Sequence, residues 1–231
     1  MRREILLKVK MDFFEILWAL KDGFSVTVQI FFLTLVFSLS LGLLICFGRM
    51  SKIKPLAYLT KAYISVMRGT PLMLQLFVVY FLPYYLFKIL LKDMGDNWLF
   101  TSVIIGFSFN YAAYFAEIYR SGLSSIPEGQ YEAAKVLGIS KRETFFRVIL
   151  PQLIKRVLPA ITNEVITLVK DTSLAFAIGQ MEMFTKAKRL ASAEISMLPY
   201  AAAALIFYVF NFLVAWAMSR IEKKMNKYTI K

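Results

Sequence analysis

Residues 24–47 read FSVTVQIFFLTLVFSLSLGLLICF, a run without a single charge that Gly48-Arg49-Met50-Ser51-Lys52 brings to an end. A helix rises 1.5 Å per residue, so about 20 such residues cross a hydrocarbon core about 30 Å thick. Inside that core no water satisfies the backbone, and a helix is the form such a run can take. The stretch therefore predicts an all-α integral membrane protein, with the basic flank at the cytoplasmic end of the first span.

The pattern recurs along the chain. Transmembrane helices are expected over 24–47, 71–91, 98–119, 157–178 and 199–218, about five in all, within one domain covering 1–231. Residues 1–22 alternate charges with Phe13, Phe14, Ile16, Leu17 and Trp18, the spacing of an amphipathic helix lying among headgroups. Pro55–Met67 is half polar, and Arg68-Gly69-Thr70-Pro71 follows as punctuation. Thr70 is expected to cap the next helix, Pro71 to open it and Pro83 to kink it. A polar turn at 92–97 and a polar segment at 179–197 separate the later spans.

Charge fixes the expected orientation. The 49–54 loop, the 120–156 loop and the tail from Arg220 hold fifteen Lys and Arg, against ten on the alternating side. The first set is placed in the cytoplasm, which puts the N-terminus outside and the C-terminus inside. The net charge of +13 thus has a membrane origin, and no basic patch interleaved with aromatics points to nucleic acid. The first apolar stretch lacks a small-residue cleavage pattern and is read as a retained helix. Cys46 is the sole cysteine, so the chain has no internal disulfide, and histidine is absent. That absence removes His general bases, His metal sites and the usual triads, so neither catalytic nor metal-ligating residues are assigned.

The longest soluble stretch, 120–156, contains the most specific pattern. Over 128–151 a short helix rich in Ala and Glu is followed by a turn at Gly138. A second amphipathic helix comes next, its Phe145, Phe146 and Ile149 expected on one face and Pro151 expected to close it. Such a unit suits docking of a soluble partner. Its spacing resembles the EAA loop of ABC importer permeases of the type I fold. Glu132, Ala133, Ala134, Gly138, Leu150 and Pro151 match, and Val148 stands where Ile is usual. Arg68-Gly69-Thr70-Pro71-Leu72, Ala113-Tyr114 with Ala116-Glu117-Ile118 and Arg120, and Lys170-Asp171-Thr172-Ser173-Leu174 resemble the polar amino acid branch of that family.

The resemblance implies a transport subunit and not an enzyme, situated in the cytoplasmic (inner) membrane of a bacterium or archaeon. Glu132, Ala133, Ala134, Leu137, Gly138, Lys141 and Arg142 are then the expected contacts for an ABC ATPase subunit. No Gly-x4-Gly-Lys-Ser/Thr sequence occurs, so the chain is expected to carry no cofactor, with ATP and Mg2+ on that partner. A second copy or a homologous permease, and an extracytoplasmic substrate-binding protein, complete the expected assembly.

Ionisable and amide groups at membrane depth nominate the substrate site. Glu164, Asn163, Thr167 and Asp171 share a stripe on the fourth span, while Asn110 and Tyr111 lie at similar depth on the third. Glu117 is a further candidate, although Arg120 three residues on makes a structural ion pair its expected role. A central carboxylate beside an amide suits an ammonium or guanidinium group, so arginine, lysine or histidine is the expected cargo, with glutamine or another polar amino acid the alternative. An ion-coupled secondary transporter is the competing class, but it leaves the docking loop without a purpose. An intramembrane hydrolase lacks its histidine.

Overall fold

The computed structural model describes residues 11–95 and 97–226. The charged start of the amphipathic segment (1–10), Asp96 of the polar turn and the end of the basic tail (227–231) lie outside the described residues. α1 (Phe13–Ala19) opens with a capping box in which Asp12 accepts from the Glu15 N–H at 2.9 Å and Glu15 accepts from the Asp12 N–H at 3.0 Å. Ile16 and Leu20 are buried while Phe14 and Trp18 are exposed, the division expected of a helix on a lipid surface. Helices α2 (Lys21–Arg49), α3 (Lys54–Gly69), α4 (Leu72–Phe87) and α5 (Trp98–Ser124) follow. The soluble stretch forms α6 (Gly129–Val136) and α7 (Lys141–Glu143), and the chain ends in α8 (Leu150–Asp171), α9 (Met183–Glu194) and α10 (Leu198–Asn226). Every regular element among the described residues is helical.

Three of these, α2, α5 and α10, are long and apolar enough to cross a membrane, and α3 with α4, bent by 115°, pass the same test only when taken together, as a broken span or a re-entrant loop. α8 has the length, 22 residues, but carries Lys155, Arg156, Glu164, Lys170 and Asp171. The five apolar spans of the sequence reading thus become three or four by composition, with α8 the polar helix among them. α4 alone is too short to cross, because the 71–91 run stops at Phe87 where Lys88 turns left-handed.

Several local expectations are corrected by backbone chemistry. Thr70 does not cap α4: the residue before a proline is pushed to extended backbone, and Thr70 instead ends α3 while Pro71 takes the N-cap position. The sharp bend therefore sits at Thr70-Pro71, and α4 continues through Pro83 to Phe87. Pro151 does not close the loop's second helix either. A π-helical segment over Thr144–Ile149 widens the turn ahead of it, and Pro151 then occupies the first turn of α8, where its missing N–H is tolerated. The expected 157–178 span accordingly begins at Leu150, and a 3-10 segment covers Thr172–Ile178. The same π segment turns Phe146 outward while Ile149 is buried, so the two do not share a face. The segment 179–197 holds α9, whose N-terminus is capped by the buried Glu182.

α5 is the central post. Val103, Phe107, Tyr111 and Phe115 pack with Ile30 and Phe31 of α2 and with Val165, Leu168 and Val169 of α8. Lipid tails are as apolar as these side chains, so helix association depends on close fit and hydrogen bonds. Small residues supply the fit: a Cβ on Gly42 would lie 2.8 Å from Phe115 Cβ, and Ala112, Ala113 and Ala116 are fully buried. α9 is tied back to α2 by the Met183 N–H donating to Thr27 Oγ1 at 3.1 Å and by the Lys186–Asp22 pair at 2.9 Å.

Candidate functional site

Two features stand out: a cavity between α3, α5 and α8 into which four charged side chains reach, and the exposed turn after α6. The cavity has a volume of about 380 Å3. α3 contributes Arg68 from its last turn. α5 contributes Tyr114, Glu117, Ile118, Ser121, Gly122 and Ser125, and α8 contributes Arg156, Val157, Ala160 and Glu164. On each long helix these positions recur at three- and four-residue steps, so each presents one face to the space. Gly122 sets the depth of the crossing. A Cβ there would overlap Val157 Cγ1 and come within 2.8 Å of Leu153 Cδ1.

The charges in this cavity are not equally engaged. Glu117 accepts from Arg120 Nε at 3.0 Å and from a second guanidinium nitrogen, the ion pair expected from their spacing. Arg156 donates to Ser125 Oγ at 3.0 Å and to the Ser125 carbonyl. Glu164 has neither a hydrogen bond nor an ion pair among the described residues, and the Arg68 guanidinium lies 5.2 Å above the centre of the Tyr114 ring. The cavity is therefore of mixed charge, Arg68 and Arg156 sharing it with the two carboxylates.

Of the seven candidate substrate residues, Glu164 and Glu117 line this cavity and five do not. Asn163 is exposed, and Thr167 is half-buried away from the cavity lining. Tyr111 is buried, and its hydroxyl donates to Asp171 Oδ2 at 2.7 Å, joining α5 to the end of α8. Asn110 is buried and faces the break between α3 and α4, donating to the Met67 carbonyl at 3.1 Å and to Gln75 Oε1 at 2.9 Å. Gln75 in turn donates to the Met67 carbonyl at 3.0 Å and to Thr70 Oγ1 at 2.7 Å. These groups satisfy backbone that the bend leaves open at membrane depth. Arg68, Tyr114, Ser121 and Ser125 were missed from sequence. Arg68 lay in a segment read as punctuation and as part of the family resemblance, not as a substrate contact, and the α5 residues formed a three- and four-step stripe beside Glu117.

The second feature is a Schellman ending. The Gly138 N–H donates to the Lys135 carbonyl at 3.1 Å and the Ile139 N–H to the Ala134 carbonyl at 3.0 Å, with Gly138 at φ 72°. The turn leaves Val136 and Leu137 bare, at 87% and 75% exposure. Glu132, Ala133, Gly138, Lys141 and Arg142 are exposed with them, whereas Ala134 is buried. Reciprocal amide bonds between Gln130 and Gln152, and a buried cluster of Ile126, Ile149, Leu153 and Val157, fasten the loop to α8.

Residues 35–227 match the family model described as binding-protein-dependent transport system inner membrane component. Among curated relatives, the L-cystine transport system permease protein TcyB of Bacillus subtilis is 36% identical, the match covering 92% of this chain and 88% of that one. The arginine transport system permease protein ArtQ of the same organism is 35% identical, over 89% and 91%. A putative glutamine transport system permease protein GlnP of Rickettsia bellii is 32% identical, over 88% and 91%. A crystal structure of an amino acid ABC transporter with histidines superposes with a TM-score of 0.81 at 31% identity, covering 93% of this chain and 99% of that one.

Proposed function

The chain belongs to the family of binding-protein-dependent transport system inner membrane components, and from that premise we propose which cargo it moves and which surfaces its partners occupy. It is an amino acid permease subunit of a type I ABC importer, a membrane protein and not an enzyme, with ATP hydrolysis in a separate subunit. The cargo we propose is a cationic amino acid: arginine, lysine or histidine. The observation that carries this reading is Glu164, a half-buried carboxylate facing the cavity with no protein cation paired to it among the described residues. An ammonium or guanidinium group supplies the missing charge-assisted bond. The spread of the relatives' names over cystine, arginine and glutamine keeps glutamine as the second reading.

The bare apolar tips Val136 and Leu137, flanked by Lys141 and Arg142, are the proposed seat of the ATPase, which brings ATP and Mg2+. A second copy or a homologous permease closes the pathway, and an extracytoplasmic binding protein delivers the cargo in a bacterial or archaeal inner membrane. Uptake by proteoliposomes holding the full complex tests the cargo. Glu164→Gln is expected to lower arginine uptake about tenfold or more while glutamine uptake changes less than threefold. Equal loss for the two amino acids, or no loss at all, refutes the role of Glu164.

A further inference from the structure

We propose that Arg68 binds the substrate's α-carboxylate, making the cavity a two-ended site in which Glu164 takes the cationic side chain of the same amino acid. The inference rests on the amino acid reading above and adds a residue and a division of labour to it.

Four charged side chains line the cavity, and two are already used. Glu117 is held by Arg120, and Arg156 is held by Ser125. Arg68 and Glu164 are left facing the same space, one of each sign, without a salt bridge to each other or to any described residue. Opposite charges that line one cavity without closing into a salt bridge form a site for a molecule with both signs. A cationic α-amino acid is such a molecule. The guanidinium offers a planar fork matched to a carboxylate, which an ammonium does not.

Arg68 is also positioned for the task. It sits one residue before the end of α3, where the chain breaks by 115°. The carbonyl of the preceding residue, Met67, accepts from both Asn110 and Gln75. The stem of Arg68 therefore departs from a fixed backbone point, and the Tyr114 ring supports the guanidinium from one side. Asn110 and Gln75 are positioning residues in this account, while Arg68 is the group that touches cargo.

The test compares ligands that differ only in the carboxylate. The permease, co-purified with its ATPase subunit in nanodiscs, is titrated with arginine against agmatine and with glutamine against 4-aminobutanamide. Wild type is expected to favour the amino acid of the better-bound pair by about tenfold or more. Arg68→Gln is expected to abolish that preference by weakening the amino acid about tenfold while the decarboxylated partner changes less than twofold, and Arg68→Lys is expected to restore part of it. Equal binding of the two partners by wild type overturns the proposal. So does parallel weakening of both by Arg68→Gln with an unchanged melting temperature, the mark of a merely structural arginine. Binding of none of the four ligands overturns the amino acid reading itself, an outcome distinct from amino acid binding without carboxylate discrimination.

Discussion

Asn110 Nδ2 donates to Gln75 Oε1 at 2.9 Å, fastening the buried middle of α5 to the first turn of α4. Because Asn110 also holds the Met67 carbonyl, one side chain spans both sides of the 115° break. In hydrocarbon an open carbonyl finds no water, so the pair stands in for the helix bonds that Pro71 prevents.

Removing that clamp exposes its worth. Asn110→Leu is expected to lower stability by about 1–3 kcal/mol, since Gln75 and Met67 lose a buried partner. Thermal unfolding of the detergent-purified complex reads this, and a melting temperature equal to wild type counts against the clamp.

Close approach at Gly122 gives a steric prediction. Gly122→Ala is expected to cost about 1–3 kcal/mol by pushing Val157 and Leu153 off the α5–α8 crossing, and Gly122→Leu to abolish the folded complex. Monodisperse yield after membrane extraction measures both. Normal yield for the leucine variant means the crossing is looser than described.

At the α6 turn, exposure and burial separate two kinds of loss. Leu137→Asp and Gly138→Asp are expected to cut ATPase co-purification about tenfold or more with membrane insertion intact. Ala134→Asp is expected to reduce the amount of folded permease, because that position is buried. Full ATPase recovery with Leu137→Asp rejects the proposed seat.

Tyr111→Phe deletes the donor to Asp171. A loss of about 1–3 kcal/mol is expected, and Asp171→Asn in the same chain is expected to recover part of it, because the bare carboxylate is then gone. Strictly additive losses in this cycle mean that the two side chains do not act as a pair.

Apolar runs with basic flanks made α2, α5 and α10 legible, since length and charge suffice for a spanning helix. The start of α8 was not legible: Pro151 reads as a stop, and only the π segment ahead of it shows how the helix absorbs a proline. Glu164 was found because a carboxylate in an apolar run is conspicuous. Asn110 and Tyr111 were placed in the cavity for the same reason, yet α5 is packed on nearly every side and its periodicity does not tell which face meets open space. Arg68 was passed over because a helix end followed by proline looks like punctuation until the bend turns it inward.

From Lys141 to Ile178 the chain stays helical without a loop, through the π segment, α8 and the 3-10 segment. Glu143 and Glu164 thus sit on one stiff rod, separated by 21 residues, which is about 30 Å at 1.5 Å per residue. Displacement applied at the α7 tip reaches the carboxylate along this one helical path, with no loop in between. The π segment and Pro159 are the irregular joints between them, and a single residue added or deleted in the π segment would rotate Glu164 by about 100° relative to the tip, leaving each intact but out of phase with the other.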